Sequence, residues 1–91
     1  MATAIHSFSP QALAETLGPL PNVLKIFASL QGRSVFVWTV VSSFDRDIRD
    51  QIYSVERNLF QYFPDYKFDF HVIEGDETTS ISEAKLVFSA R

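Results

Sequence analysis

The stretch that decides the fold is Ser34–Ser42, which reads SVFVWTVVS. Alternate residues of a strand point to opposite faces. In this stretch one face carries valines, and the other carries Phe36, Trp38 and Val40. Because both faces are apolar, the stretch predicts a central strand that other parts of the chain cover on each side.

A helix is predicted next, over residues 45–63. Asp45 is suited to cap its first turn, and Pro64 ends it. Its apolar residues recur at helical spacing and form one stripe: Ile48, Ile52, Val55, Leu59 and Phe63. Residues 66–73 then alternate between apolar and polar and predict a second strand. Because such β-α-β connections are right-handed and short, this strand is expected to run parallel to the first.

The flanking segments are predicted less directly. Ser9 and Pro10 indicate the start of a short helix that Gly18 ends. Residues 22–30 fit either a helix or a strand, and the Gly32 turn that follows favours a hairpin with the central strand. A last strand over residues 84–89 is expected to return antiparallel. The fold class is therefore α/β (mixed α+β), a three- or four-stranded mixed sheet with a central β-α-β unit and helices packed against it.

Length and composition limit the function. With 91 residues the chain is expected to form one domain, residues 1–91, of which 1–8 are expected to fray. It contains no cysteine, which excludes disulfides and thiolate catalysis. Its net charge of −3 argues against nucleic acid as a partner. No apolar run is long enough for a membrane span and the first residues do not resemble a secretion signal, so a cytoplasmic location is expected.

Few residues suggest chemistry, and no catalytic residue or metal site is predicted. His6 lies in the segment expected to fray. Asp69 and His71 share one strand face, where a carboxylate–imidazole pair can move a proton, although an ordinary solvated face is the more usual reading. The acidic residues from Glu74 to Glu77 lack the spacing of a calcium loop and are interpreted as a solvated loop.

One face of the predicted 45–63 helix carries arginine and aromatic side chains together, namely Arg49, Tyr53 and Arg57 with Phe60 beside them. Such residues are enriched where proteins bind one another. An Arg/Tyr stripe can also stack on bases, but the acidic residues between the arginines weaken that alternative. These four residues are the candidate interface, and a plain solvent-exposed face is the remaining alternative.

The stretch Val23–Ser34, VLKIFASLQGRS, resembles the first strand and glycine-rich turn of minimal nucleotidyltransferase domains. Ala28-Ser29 stands where that family has Gly-Ser, and Gly32 stands at the later glycine. Valines replace the metal-binding Asp-x-Asp pair, so the resemblance implies a degenerate domain without catalysis, with Asp69 as a remnant of the third acid. A ferredoxin-like or another small α/β sandwich fits the order of elements nearly as well.

Three functions follow as hypotheses. The first is a non-catalytic module that binds a protein partner or forms a homo-oligomer, such as a homodimer. The second is a nucleotide or phosphate binder of the nucleotidyltransferase type, and the third is a small enzyme that uses an acid and a histidine. The candidate ligand-binding residues for the last two are Ser29, Gly32, Arg33, Ser34, Asp69 and His71. No cofactor is expected.

Overall fold

A computed structural model of the chain describes residues 8–90, which form two helices and four strands. The elements in chain order are α1 (Gln11–Thr16), β1 (Val23–Gln31), β2 (Ser34–Val41), α2 (Arg46–Tyr62), β3 (Lys67–Glu74) and β4 (Lys85–Ser89). The strands build one sheet in the order β3-β2-β1-β4. The mixed α+β fold class predicted from the sequence is confirmed.

β2 lies inside the sheet, as its two apolar faces predict. It pairs antiparallel with β1 and parallel with β3, so the predicted β-α-β unit is present. β4 pairs antiparallel with β1 at the far edge of the sheet. The last strand therefore does not return beside β3. It runs in the same direction as β3, with two strands between them.

The ambiguous segment before β2 is a strand, and a tight turn explains why. Gln31 pairs with Ser34, which leaves only Gly32 and Arg33 in the hairpin turn. Gly32 has φ 62°, a backbone conformation that favours glycine and suits the first central position of a two-residue hairpin turn. A glycine at this position thus joins two strands whose apolar content alone does not exclude a helix.

The main core lies between the helices and one face of the sheet. Leu13 of α1, Leu17 just after it and the apolar stripe of α2 pack there against alternate residues of β1, β2 and β3. Asp45 accepts a hydrogen bond from the backbone N–H of Ile48 at 3.0 Å, which confirms the predicted cap of α2. Since Phe63 is also buried at the far end of α2, the helix is fixed at both ends.

Two details at the amino end differ from expectation. The residue that precedes α1 is Pro10, and no side chain caps the helix, so Ser9 does not have the predicted role. Phe8, placed in the segment expected to fray, is buried, and its ring lies 5.4 Å from those of Phe63 and Phe68. An aromatic pocket at the start of β3 holds it. Residues 1–7, including His6, lie outside the described residues.

The sheet face opposite the helices, here the open face, is crossed by the connection between β3 and β4. Its residues on the three longer strands are Lys25, Phe27, Ser29, Gln31, Ser34, Phe36, Trp38, Val40, Lys67, Asp69, His71 and Ile73. Residues 75–84 leave β3 at one edge of the sheet and reach β4 at the other. On the way Lys25 Nζ donates to the Thr79 carbonyl at 3.3 Å, and a Cβ on Gly75 would contact Val40. This connection therefore covers the second apolar face of β2.

Gly18→Ala tests the close packing of α1 on β4. A Cβ at Gly18 would overlap the Ala14 carbonyl oxygen and lie 2.8 Å from the Phe88 ring. We expect the substitution to lower the free energy of unfolding by about 2 kcal/mol, as overpacking does. The control Gly32→Asn should cost less than about 1 kcal/mol, because the turn is open and Asn tolerates a positive φ. Urea denaturation measures both, and equal losses would contradict this packing.

Candidate functional site

Asp69 and His71 are neighbours on the open face. His71 Nε2 lies 3.4 Å from Asp69 Oδ1, and the imidazole ring stacks on Trp38 with centroids 5.6 Å apart and an interplanar angle of 18°. Both side chains are about half exposed to solvent. The pair thus has the contact that the sequence suggested, but it lies on an open surface rather than in a cleft.

The turn residues of the candidate ligand-binding set lie at one end of the sheet. Gly32 and Arg33 form the hairpin turn, and Ser34 pairs with Lys67 at the start of β2. The Arg33 guanidinium carbon lies 5.9 Å from the centre of the Tyr66 ring, a cation–π contact. Arg33 therefore already has a partner within the domain, on the end of the sheet rather than over the open face.

Ser29 lines a shallow cavity of about 240 Å³ on the open face. The other lining residues are Gln31, Phe36, Trp38 and Glu83. Asp69 is not among them, because it lies on the far side of Phe36, with which it pairs. The structure therefore brings Asp69 and His71 together on β3. It leaves Ser29 two strands away on β1, and the turn residues at the end of the sheet.

The acidic segment after β3 is used for local hydrogen bonds. Glu74 Oε2 accepts from the Phe44 backbone N–H at 3.2 Å. Asp76 Oδ1 accepts from both the side chain and the backbone N–H of Thr78, and these bonds hold the pKa of the Asp76 carboxyl below its ordinary value. In the described part of the chain, no group of three or more His, Asp or Glu side chains is placed to hold a metal ion.

The candidate interface residues lie along one flank of α2, beside β3. The Phe60 ring makes edge-to-face contacts with Phe68 and Phe70, at centroid distances of 5.6 and 5.5 Å, yet Phe60 remains 47% exposed. Tyr53 lies two turns before Phe60 and therefore on the same flank, and it is 46% exposed. Arg49 lies one turn before Tyr53 and is partly buried, whereas Arg57 is exposed. The structure thus places most of this set next to an edge strand.

Glu56 is a buried acid that the sequence analysis did not single out. It is 9% exposed, its Oε2 finds no hydrogen-bond partner among the described residues, and burial raises the pKa of its carboxyl to about 7. Thr39 Oγ1, on the helix-facing side of β2, is likewise buried without a partner. The signal was available in the sequence, because Glu56 follows Ile52 by four residues and so continues the apolar stripe.

Comparison with protein-family models, with curated proteins and with solved structures finds no match to this chain. Of the helices within residues 8–90, neither combines the length and the apolar character that a bilayer span requires. The function must therefore be argued from the surfaces of the domain.

Glu56→Gln tests the buried carboxyl. A folded-state pKa of about 7 against an ordinary value of 4.5 means that folding favours the protonated acid. This contribution to stability is fully present below pH 4.5 and is lost as the pH rises through 7. Relative to the wild-type, Glu56→Gln should therefore gain about 2 kcal/mol of unfolding free energy between pH 4.5 and 8, allowing for partial exposure of the group to solvent. Urea titrations at several pH values measure the difference, and a constant difference would show that Glu56 is solvated.

Proposed function

We propose that this domain is a non-catalytic interaction module that associates with itself through the outer edge of β3 and the adjoining flank of α2. The observation that carries this proposal is an edge strand of eight residues, β3, with half-exposed aromatic side chains beside it. An unpaired strand edge of this kind is a template for another strand. Interfaces are enriched in the same aromatic and arginine residues.

The backbone of β3 has hydrogen-bonding groups to offer. The N–H of Lys67, at the start of β3, donates to the Arg33 carbonyl just before β2 at 2.8 Å, and the N–H of Gly75, just after β3, donates to the Val41 carbonyl at 2.9 Å. Because these groups alternate in direction along a strand, the odd-numbered residues bond to β2. The N–H and C=O groups of Phe68, Phe70, Val72 and Glu74 therefore point outward, away from every described strand. They are the groups that a partner strand would satisfy.

The aromatic flank adds apolar area to this edge. Phe60 covers Phe68 and Phe70 from the helix side, and Phe68 and Phe70 are themselves stacked 5.3 Å apart. Burying the exposed half of Phe60 and Tyr53 on association adds hydrophobic stabilisation at about 25 cal/mol per Å². The unpaired backbone groups of β3 would orient a partner strand, and the apolar side chains beside them would add to the affinity for it.

The competing functions have weaker support. An enzyme based on Asp69 and His71 needs a substrate held over two half-exposed side chains, with no enclosing cleft around them. A phosphate binder needs cations free to face the anion, whereas Arg33 rests on Tyr66 and Glu83 lines the cavity beside Ser29. These contacts favour a binding surface for protein over a site for a small anion.

Light scattering coupled to size-exclusion chromatography tests the proposal. We expect the average mass of the wild-type protein to rise with concentration toward twice the monomer. Phe60→Lys places a charge on the α2 flank and should raise the dissociation constant at least about tenfold. The matched control is Leu86→Lys, since Leu86 is 53% exposed on β4 at the opposite edge. A wild-type monomer at every concentration, or equal loss in both variants, would overturn the proposal.

A thermal-shift assay separates this proposal from the nucleotide-binding alternative. A ligand that binds only the folded state raises the unfolding temperature. We expect ATP, GTP and CTP with magnesium each to shift that temperature by less than about 1 °C at millimolar concentration. A saturable shift that Arg33→Ala removes, with the fold of the variant checked by circular dichroism, would favour the nucleotidyltransferase-like alternative instead.

A further inference from the structure

We infer that the partner is a second copy of this chain, joined by antiparallel pairing of the two β3 strands around a two-fold axis at Phe70. The inference rests on the proposed function and specifies its geometry. It makes one continuous sheet of eight strands, with the four helices on one face and the two open faces on the other. It follows from the direction of the backbone groups, the symmetry of a dimer and the charges on β3.

Symmetry first restricts the register. A two-fold axis perpendicular to the sheet keeps the helices of both copies on the same side of the combined sheet. Two residues that lie opposite each other across the interface must then point to the same side of that sheet. Even-numbered residues of β3, which face the helices, then pair only with even-numbered residues of the partner. The axis must therefore pass through a residue. At Phe70 or His71 it keeps seven of the eight residues of β3 paired, and at Asp69 or Val72 it keeps five.

The register at Val72 is short and sets Phe70 opposite the partner's Glu74. Charge then selects among the other three registers. With the axis at Phe70, Asp69 of each copy faces the partner's His71, and both ends of the interface gain an acid opposite an imidazole. With the axis at His71, the two histidines face each other, and Phe68 faces the partner's Glu74. With the axis at Asp69, the two carboxylates face each other and Lys67 faces the partner's His71. Like groups directly opposite are destabilising, so the register at Phe70 is favoured.

The same register satisfies the backbone and the apolar side. Phe68, Phe70, Val72 and Glu74 are the residues of β3 whose N–H and C=O groups point outward. In this register the first three form the hydrogen-bonded pairs of an antiparallel ladder, with about six bonds in total. On the helix side Phe70 meets the partner's Phe70, and Phe68 meets the partner's Val72. The half-exposed Phe60 lies over this row and is covered by the partner.

The other edge of the sheet is less suited to such pairing. β4 has five residues against eight in β3, and its register with β1 shifts between Ile26 and Phe27. Short and irregular edge strands are devices that hinder pairing between sheets. The two edges therefore differ in length and regularity, and β3 is the one that offers a long, regular ladder.

Cysteine cross-linking determines the register directly, because the natural chain has no cysteine. Asp69→Cys and His71→Cys are both substitutions at exposed positions. With the axis at Phe70, position 69 faces the partner's position 71 at about 4.5 Å between Cα atoms, within disulfide reach, whereas two copies of the same position lie about 8 Å apart. We therefore expect a disulfide-linked dimer when the two variants are mixed and mildly oxidised, and at least about tenfold less when each is alone. The mixed dimer also retains one intact pair of Asp69 with the partner's His71.

Each of the other outcomes identifies which part of the proposal is wrong. Efficient linking of His71→Cys alone moves the axis to His71, and efficient linking of Asp69→Cys alone moves it to Asp69; either result overturns the register. No linking in any mixture, with a wild-type protein that still dimerises by light scattering, overturns pairing through β3 but leaves self-association standing. A wild-type protein that stays monomeric overturns the proposed function itself.

A charge exchange provides an independent test in solution. Asp69→Lys places a cation opposite the partner's His71 and should raise the dissociation constant about tenfold. The double variant Asp69→His with His71→Asp restores an acid opposite an imidazole at both positions, so its dissociation constant should return to within about threefold of the wild-type value. Circular dichroism checks that both variants fold. A double variant as weak as Asp69→Lys would overturn the charge argument.

Discussion

The burial of β2 on both of its faces is the constraint on which the rest of this structure depends. Val35 and Val37 are fully buried against the helices, and Val40 is fully buried on the other face. A domain of this size has few elements with which to cover two faces. The helices cover one, and the connection between β3 and β4 covers part of the other. Both crossovers join parallel strands, and they run in opposite directions on opposite faces. They therefore have the same hand, as the strong preference for right-handed crossovers requires.

Much of this architecture could be predicted from the sequence, because the signals were local. The apolar faces of β2, the Asp45 cap and the periodicity of α2 each act over a few residues, and each is found as predicted. The place of β4 could not be predicted in this way. The sequence indicates a strand at the end of the chain, but it pairs with β1, about sixty residues earlier, and only the three-dimensional arrangement of the sheet decides which edge is free.

The candidate sites also divide into local contacts, which the sequence predicts, and contacts that depend on the arrangement of the sheet. Alternation along β3 was enough to place Asp69 beside His71, since residues two apart on a strand share a face. It was not enough to show that Ser29 lies two strands away, or that Arg33 packs on the Tyr66 ring. Glu56 was missed for another reason. A charged residue is expected on the surface, although its position in the apolar stripe of α2 places it in the core. The contact of Phe60 with Phe68 and Phe70 likewise depends on how α2 lies across the sheet.

The position of β4 also has a consequence for the order in which the domain is made. Synthesis from the amino end delivers β1, β2, α2 and β3 first, and these already contain the central β-α-β unit. Until β4 emerges, the outer edge of β1 has no partner and the Phe27 side of the sheet lacks the connection that crosses it. The nascent chain therefore passes through a stage with two free sheet edges, in which neighbouring chains on one messenger can exchange strands. Pairing of β4 with β1 then closes one of these two edges.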